Sequence, residues 1–161
     1  MAKKVRNQPL SDDSLNMIAR EYCNQQAHRV HKNRKDDDLH NNSPFGYNIP
    51  KVVAACTSNK SPYLVCRGRN DHSPMSPHPV LRAAYPKRVQ YGLLPRTKKT
   101  RFYPVGHCAE PHAANRLLYE MSYKSKHLLI RDLRFSFAYS VKNSAVVEYC
   151  GTCKLTFPQL K

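Results

Sequence analysis

The stretch VGHCAEPHAANRLL, residues 105–118, joins the start of an amphipathic helix to a group of chemically reactive side chains. Apolar residues at helical spacing predict a helix over 110–123 whose buried stripe is Ala113, Ala114, Leu117, Leu118 and Met121. Packing explains neither the cysteine, nor the glutamate, nor the two histidines that crowd at the start of this helix. A metal site with a proton-transfer group would need several such residues.

A Cys-x-x-Cys pair, Cys150 and Cys153, supplies two more thiols after a short β-like run and before one or two predicted helical turns. Together with Cys108 they could bind Zn²⁺ as three thiolates and leave one tetrahedral position for water. Zinc lowers the pKa of such a water towards neutrality. Glu110 lies two residues beyond Cys108 on the same helix end, where it could pass protons between the water and a substrate.

The composition describes one strongly basic domain. The chain has 161 residues, and 27 Lys and Arg against 11 Asp and Glu give a net charge of +16. This charge favours a polyanionic partner, nucleic acid first and an anionic membrane surface second. No segment has the roughly 20 apolar residues of a spanning helix, and no apolar signal follows the N-terminus. We therefore expect no membrane partner, action inside a cell, and cysteines that serve metal binding or catalysis rather than disulfides.

Residues 1–10 read as a basic tail and residues 11–161 as a single domain. Helical periodicity predicts a helix over 11–31, capped by its first serine. Two β-branched runs, KVVAACTSN and SPYLVCRG, predict a hairpin in which Cys56 and Cys66 are not opposite one another, so no cross-strand disulfide is expected. A period-two alternation predicts a later strand with one face formed by Leu133, Phe135, Phe137 and Tyr139.

Residues 82–104 form a basic segment directly before the Cys108 motif, with seven Lys or Arg interleaved with aromatic residues that include Tyr85. A solvated loop is the ordinary interpretation of such a charge run. The aromatic residues favour single-strand binding instead, because basic groups follow phosphates while aromatic faces stack on bases. The predicted substrate-binding residues are Tyr91, Arg96, Lys98, Lys99, Arg101, Phe102 and Tyr103.

The order of these motifs resembles the zinc-dependent cytidine deaminase superfamily, whose signature is His or Cys, any residue, Glu, and later a Cys-x-x-Cys. The resemblance covers roughly residues 50–155 and is to the toxin-type and nucleic-acid-editing cytosine deaminases. It implies that Cys108, Cys150 and Cys153 are Zn²⁺ ligands and that Glu110 is a proton shuttle. The implied reaction is the hydrolysis of cytosine to uracil in single-stranded DNA or RNA, with a zinc-bound water as nucleophile.

The resemblance also implies a fold, the α/β cytidine deaminase-like three-layer fold with a mixed central sheet and helices on both faces. Two features depart from the family: Tyr149 stands at the usual proline, and Lys161 follows Cys153 by only eight residues. We therefore expect a sheet shortened at its C-terminal end, completed by strands around 128–149 or by a partner. A toxin role would add an inhibitory or immunity partner, by analogy alone.

Several residues have alternative roles. His107 is the alternative ligand to Cys108, although it lies three residues from Glu110 rather than two. His112, one turn into the helix, fits a core position better than the substrate side. The remaining cysteines are expected to be buried structural residues: Cys23, Cys56 and Cys66. An asparagine contacts the sugar or base in related enzymes, and the candidates here are Asn48, Asn59 and Asn70.

Two other classes of protein share these features. A non-catalytic, zinc-stabilised nucleic-acid-binding module would close its site with His107 or His112 and would have no use for Glu110. A basic packaging protein would bind nucleic acid and keep its fold after chelation. On the deaminase scaffold itself, adenine is an alternative base, because the same zinc chemistry attacks either ring. Metal analysis and a Glu110→Ala variant distinguish these classes.

Overall fold

A hairpin near the middle of the chain forms the centre of the fold. In the computed structural model, the described residues are 9–37, 51–70, 76–86 and 106–160. Strand β1 (Val52–Ser58) pairs antiparallel with β2 (Ser61–Arg69), as the two β-branched runs predict. All of β1 after its first residue is buried, since helices cover both faces of the sheet.

Three short strands complete the described sheet. β3 (Leu133–Phe135) and β4 (Ala138–Ser140) both pair with β1, and β5 (Val146–Val147) pairs with β4. The order is β2-β1-β4-β5, and every pairing among the described strands is antiparallel. The predicted mixed sheet is therefore wrong for the described residues. The reason is that β2 on one side of β1, and β3 and β4 on the other side, all run antiparallel to this central strand.

Helices pack on the two faces of this sheet, which gives the α/β layering that the sequence predicts. Helix α1 (Asp12–Asp37) covers one face through Leu15, Ala19 and Cys23, which cluster with Val53, Ala55 and Tyr139. The predicted cap is present, since the Ser11 hydroxyl accepts a hydrogen bond from the Ser14 amide. The helix is longer than the predicted 11–31.

The other face carries the helices that form the candidate site. They are α2 (Pro79–Ala84), α3 (Ala109–Tyr123) and α4 (Gly151–Thr156). α3 confirms the predicted helix over 110–123, and its buried stripe packs against Cys56 and Leu133. α2 is not among the helices that the sequence predicted. None of the described helices combines the length and the apolar character needed to cross a membrane.

The register of the hairpin corrects one expectation. Cys56 and Cys66 are cross-strand partners, although neither forms a disulfide. The register shifts between Cys56 and Ser58, because Ser58 pairs with Ser61 near the turn. β2 therefore holds extra residues opposite Thr57, whose hydroxyl donates to the Leu64 carbonyl.

The predicted strand over Leu133–Tyr139 is interrupted at Ser136. The Ala55 amide donates to the Ser136 hydroxyl, and the Ser136 amide donates to the Ala55 carbonyl. The Ser136 hydroxyl oxygen thus takes the place of a backbone carbonyl as the acceptor for Ala55. The strand is interrupted here, and the alternation of buried and exposed side chains is lost. Phe137 is 51% exposed rather than buried with its neighbours, so its predicted place on the apolar face is wrong.

Candidate metal centre

Two helix N-termini meet at the Cys108 motif. Cys108 is the N-cap of α3, and Cys150 is the N-cap of α4, with Cys153 in the first turn. The three sulfur atoms all lie within 4.8 Å of one another, and the Cys108 and Cys150 sulfurs are 3.3 Å apart. Among the residues that the structure describes, this is the one group able to hold a metal ion. The geometry brings together all three predicted ligands.

The spacing and chemistry of the three thiols fit a zinc ion. Sulfurs bound to one tetrahedral zinc at about 2.3 Å lie roughly 3.8 Å apart, a separation close to the one present here. Hydrogen bonding to the Cys150 thiol raises the pKa of Cys108, and burial raises it further. Three thiols packed together lose their protons readily only when a cation neutralises them, and the two helix dipoles assist. Soft sulfur donors select zinc over magnesium or calcium.

Glu110 places a carboxyl group beside these sulfurs. It lies in the first turn of α3 and is only 3% exposed. The Cys153 thiol donates to Glu110 Oε2 over 3.5 Å. Burial raises the pKa of Glu110 to about 7, because the charged form loses its hydration. Burying a carboxyl group costs solvation free energy, so packing alone does not explain Glu110. A buried carboxyl group next to possible metal ligands is typical of an acid–base group.

A cavity of about 380 Å³ opens onto Cys108, Cys150 and Glu110. Its apolar wall includes Val52, Ala138 and Val147. The polar groups around it come from Lys51, Asn70, His107 and Glu148. A space of this size, with an apolar wall and few polar groups, suits a flat ring with polar edges.

Of the two predicted asparagines that the structure describes, Asn59 and Asn70, it is Asn70 that lines this cavity. Its Oδ1 atom accepts hydrogen bonds from the Lys51 and Val52 amides, both at 2.7 Å, which fixes the side chain. Asn59 lies instead at the turn of the hairpin, where its backbone N–H donates to the Asp132 backbone carbonyl. Asn48 lies outside the described residues.

The two histidines occupy different positions. His107 lines the cavity next to Cys108, but it does not belong to the group of close donor atoms. His112 lies within α3 and is also outside that group. The described donor set is therefore three thiols without an imidazole, which leaves the alternative ligand His107 unsupported by the geometry.

The predicted substrate-binding segment is only partly described. Tyr85, which the sequence grouped with the stacking aromatics, is 6% exposed and packs in the core with Leu81 and Cys153. It is unavailable for base stacking, and that part of the prediction is wrong. The following seven predicted residues lie outside the described residues, and their role stays a prediction: Tyr91, Arg96, Lys98, Lys99, Arg101, Phe102 and Tyr103.

The other cysteines lie away from the site. Cys23 and Cys56 are buried as expected, while Cys66 is only partly buried. The Cys23 thiol donates to the Ser140 carbonyl, and burial raises the pKa of this thiol. These environments are those of structural residues rather than metal ligands.

Two residues that support the site were not identified from the sequence. Tyr149, which immediately precedes Cys150, donates its hydroxyl to the Ser136 carbonyl over 2.8 Å and so ties the start of α4 to the sheet. Gly68 lies against the first turn of α3, where a Cβ atom would be 2.1 Å from the Ala109 carbonyl oxygen. The sequence singled out Tyr149 only as a departure from the resemblance and not as a supporting residue, whereas nothing local marks Gly68.

Comparison of the chain with protein-family models, with curated proteins and with solved structures found no match. The chemistry of the site therefore has to be inferred from the chain's own residues.

Proposed function

We propose that this chain is a zinc-dependent deaminase that converts cytosine to uracil in single-stranded nucleic acid. The observation that carries the proposal is the placement of the buried Glu110 carboxyl beside three converging thiols, two of which line an open cavity together with Glu110. A structural zinc site takes four ligands, almost always cysteine and histidine, so a buried carboxyl group beside three thiols is more typical of a catalytic site.

Cys108, Cys150 and Cys153 would hold the metal ion. When bound, Zn²⁺ would lower the pKa of a coordinated water and make hydroxide available near neutral pH. Glu110 would accept a proton at Oε2 from the attacking water and deliver it to the ring nitrogen next to the amino-bearing carbon. It would then help protonate the departing amino group, so that water and cytosine give uracil and ammonia.

The cavity would hold the base, and other parts of the chain would bind the polynucleotide that carries this base. The apolar wall of Val52, Ala138 and Val147 would contact the ring, while Asn70 would offer its amide group to a polar edge. A net charge of +16 favours a polyanion over a free nucleoside. The base must leave the stack before it enters the cavity, which favours single strands over duplexes.

Base conversion by zinc-loaded protein tests the proposal. Mixed-sequence single-stranded DNA, duplex DNA and RNA would be incubated and then sequenced for C-to-T and A-to-G changes. We expect C-to-T changes in single strands, lowered about 10²–10⁴-fold by Glu110→Gln and by Glu110→Ala. Glu120→Gln, an exposed glutamate on the same helix, is the matched control and should retain full conversion.

Each other outcome has a defined meaning. A-to-G changes alone would make the chain an adenine deaminase on the same site. Binding without conversion, in protein shown to contain one zinc, would contradict catalysis and support the closed nucleic-acid-binding module. His107, which lies at the cavity beside Cys108, would then be the first residue to test as fourth ligand.

A further inference from the structure

Three arginines gather along the outer edge of the sheet. β2 is the terminal strand on its side among the described strands, and it carries Arg67 and Arg69. Arg116 reaches the same edge from α3, where its guanidinium donates to the Arg67 carbonyl over 3.1 Å. We call Arg67, Arg69 and Arg116 the β2 edge surface.

Neutral groups hold two of these guanidinium groups in place. Arg67 lies over the Tyr22 ring at 4.8 Å and donates to the Gln25 side chain over 3.4 Å. Arg69 donates to the buried Gln26 side chain over 3.4 Å. Helix α1 thus orients both arginines without supplying a carboxylate, so their positive charge is retained.

Acidic residues nearby do not neutralise the surface. The flanking helices carry Glu21 and Glu120, and Glu21 accepts a hydrogen bond from Gln25 instead. The ion pairs formed within the described residues involve Lys60, Arg134 and Lys154, and none includes an arginine of the β2 edge surface. A set of oriented, unneutralised guanidinium groups is the usual way in which proteins contact phosphates.

The end of β2 links this surface to the cavity. Arg69, the last residue of β2, immediately precedes Asn70, which lines the cavity together with Cys108 and Cys150. Arg67 and Arg69 are two residues apart, or about 6.7 Å along a strand, which is comparable to the separation of successive phosphates in an extended single strand. A strand whose base enters the cavity could therefore continue along β2 with its phosphates against this edge.

We propose that the β2 edge surface binds the phosphate backbone of a single-stranded nucleic acid next to the base held in the cavity. The inference rests on the proposed function for its substrate class. It assigns backbone contacts to a sheet edge, in addition to the basic segment that precedes Cys108.

Salt-dependent binding of an oligothymidine strand tests this surface separately from catalysis, because thymine has no amino group to hydrolyse. The affinity would be measured by fluorescence anisotropy between about 50 and 200 mM salt. Replacing all three arginines by glutamine should reduce the slope of log K against log salt by about two, since each lost single-strand phosphate contact removes about 0.7. Affinity should fall about tenfold or more at the lower salt concentrations.

Two matched variants identify the cause. Glutamine at Lys126, Arg131 and Lys142, three exposed positions outside both the β2 edge surface and the basic segment 82–104, removes the same charge and should leave the slope almost unchanged. Lysine at the three positions of the β2 edge surface keeps the charge but alters the contacts with Tyr22 and the two glutamines. It should retain most of the slope if charge is what matters.

The outcomes separate the two proposals. The proposed surface would be contradicted if the glutamine variant of the β2 edge surface and the control variant lost the same amount of slope. It would also be contradicted if the lysine variant lost as much slope as the glutamine variant. Reduced binding by the β2 variant in a protein that converts no base would support the surface while contradicting the deaminase. Base conversion by the wild type, together with an unchanged slope in the glutamine variant, would support the deaminase and contradict the surface.

Discussion

Gly68 of β2 and Ala109 of α3 are in close contact, so that a Cβ atom on Gly68 would lie 2.1 Å from the Ala109 carbonyl oxygen. The same atom would lie 2.4 Å from the Ala113 backbone nitrogen. Both obstacles are backbone atoms, which cannot move aside as a flexible side chain would. The first turn of α3, with Cys108 and Glu110, therefore lies directly on the sheet only because this strand position has no side chain.

Replacing Gly68 by alanine should displace the start of α3. We expect Gly68→Ala to lower the free energy of unfolding by about 1–3 kcal/mol through overpacking and to weaken zinc binding. Urea denaturation and competition with a zinc chelator measure the two effects. Ser61→Ala, at the far end of the same strand, is the control and should change neither. Wild-type stability together with wild-type zinc affinity would show that α3 is not held by this contact.

Metal content should depend on three of the six cysteines. Alanine at Cys108 or Cys153 should abolish the binding of one zinc per chain, because two thiols cannot complete the site. Cys23→Ala and Cys66→Ala should retain the metal, since these residues lie outside the cluster. Cobalt substitution, which gives sulfur-to-metal absorption bands, and elemental analysis measure the result. Retention of zinc by Cys153→Ala would refute the proposed ligand set.

Chelation should also destabilise the fold. Removing zinc leaves three neighbouring thiols between α3 and α4, and metal binding to the folded state adds to its stability. We expect a lower midpoint of thermal unfolding after treatment with a chelator, restored by added zinc. The Cys108→Ala variant should show no such response. An unchanged midpoint in the wild type would instead favour the basic packaging protein.

Periodicity and motif order predicted much of this site, but not its supporting contacts. The helix containing Glu110 and the hairpin follow from local patterns, and the three thiols follow from the order of two short motifs. The partnership of Cys56 with Cys66 depends on extra residues in β2, which no alternation pattern reveals. The burial of Tyr85 depends on α2 packing beneath the cysteines, and the local basic sequence indicated the opposite.

Asp132 should make stability depend on pH at acidic values. Its carboxylate accepts from Lys60 Nζ and from the Leu129 amide, each at 2.8 Å, and the hydrogen bond with Lys60 is the main cause of its lowered pKa. A lowered folded-state pKa means that the stabilisation is complete above the unfolded-state pKa of about 4 and is lost as pH falls through the folded-state value.

Asp132→Asn should therefore lower the free energy of unfolding by about 1 kcal/mol near neutral pH and by less at pH 3, which lies below the unfolded-state pKa. Urea denaturation of variant and wild type at both pH values gives the difference. Glu148→Gln, which removes the exposed ion pair with Lys154, should show no measurable change at either pH. A pH-independent effect of Asp132→Asn would mean that the carboxylate charge is not involved.

Asn70 should have separable structural and substrate roles. Its Oδ1 atom accepts from the Lys51 and Val52 amides, so Asn70→Ala should lower the free energy of unfolding by about 1 kcal/mol. Asn70→Asp keeps both acceptor bonds and strengthens them by charge, and it should preserve stability. It also removes the amide donor at the cavity, so base conversion should fall about tenfold or more, by roughly 1.4 kcal/mol of transition-state stabilisation.

Comparing two substrates separates the effect of the added negative charge in Asn70→Asp from that of the lost amide donor. Free cytidine carries no phosphate, so a fall in its conversion reports the lost amide donor, whereas a fall confined to polynucleotides reports repulsion of the backbone. We expect conversion of both substrates to fall. Full conversion of cytidine by a stable Asn70→Asp variant would remove Asn70 from the base-binding role and leave it only the anchoring of β1 to β2.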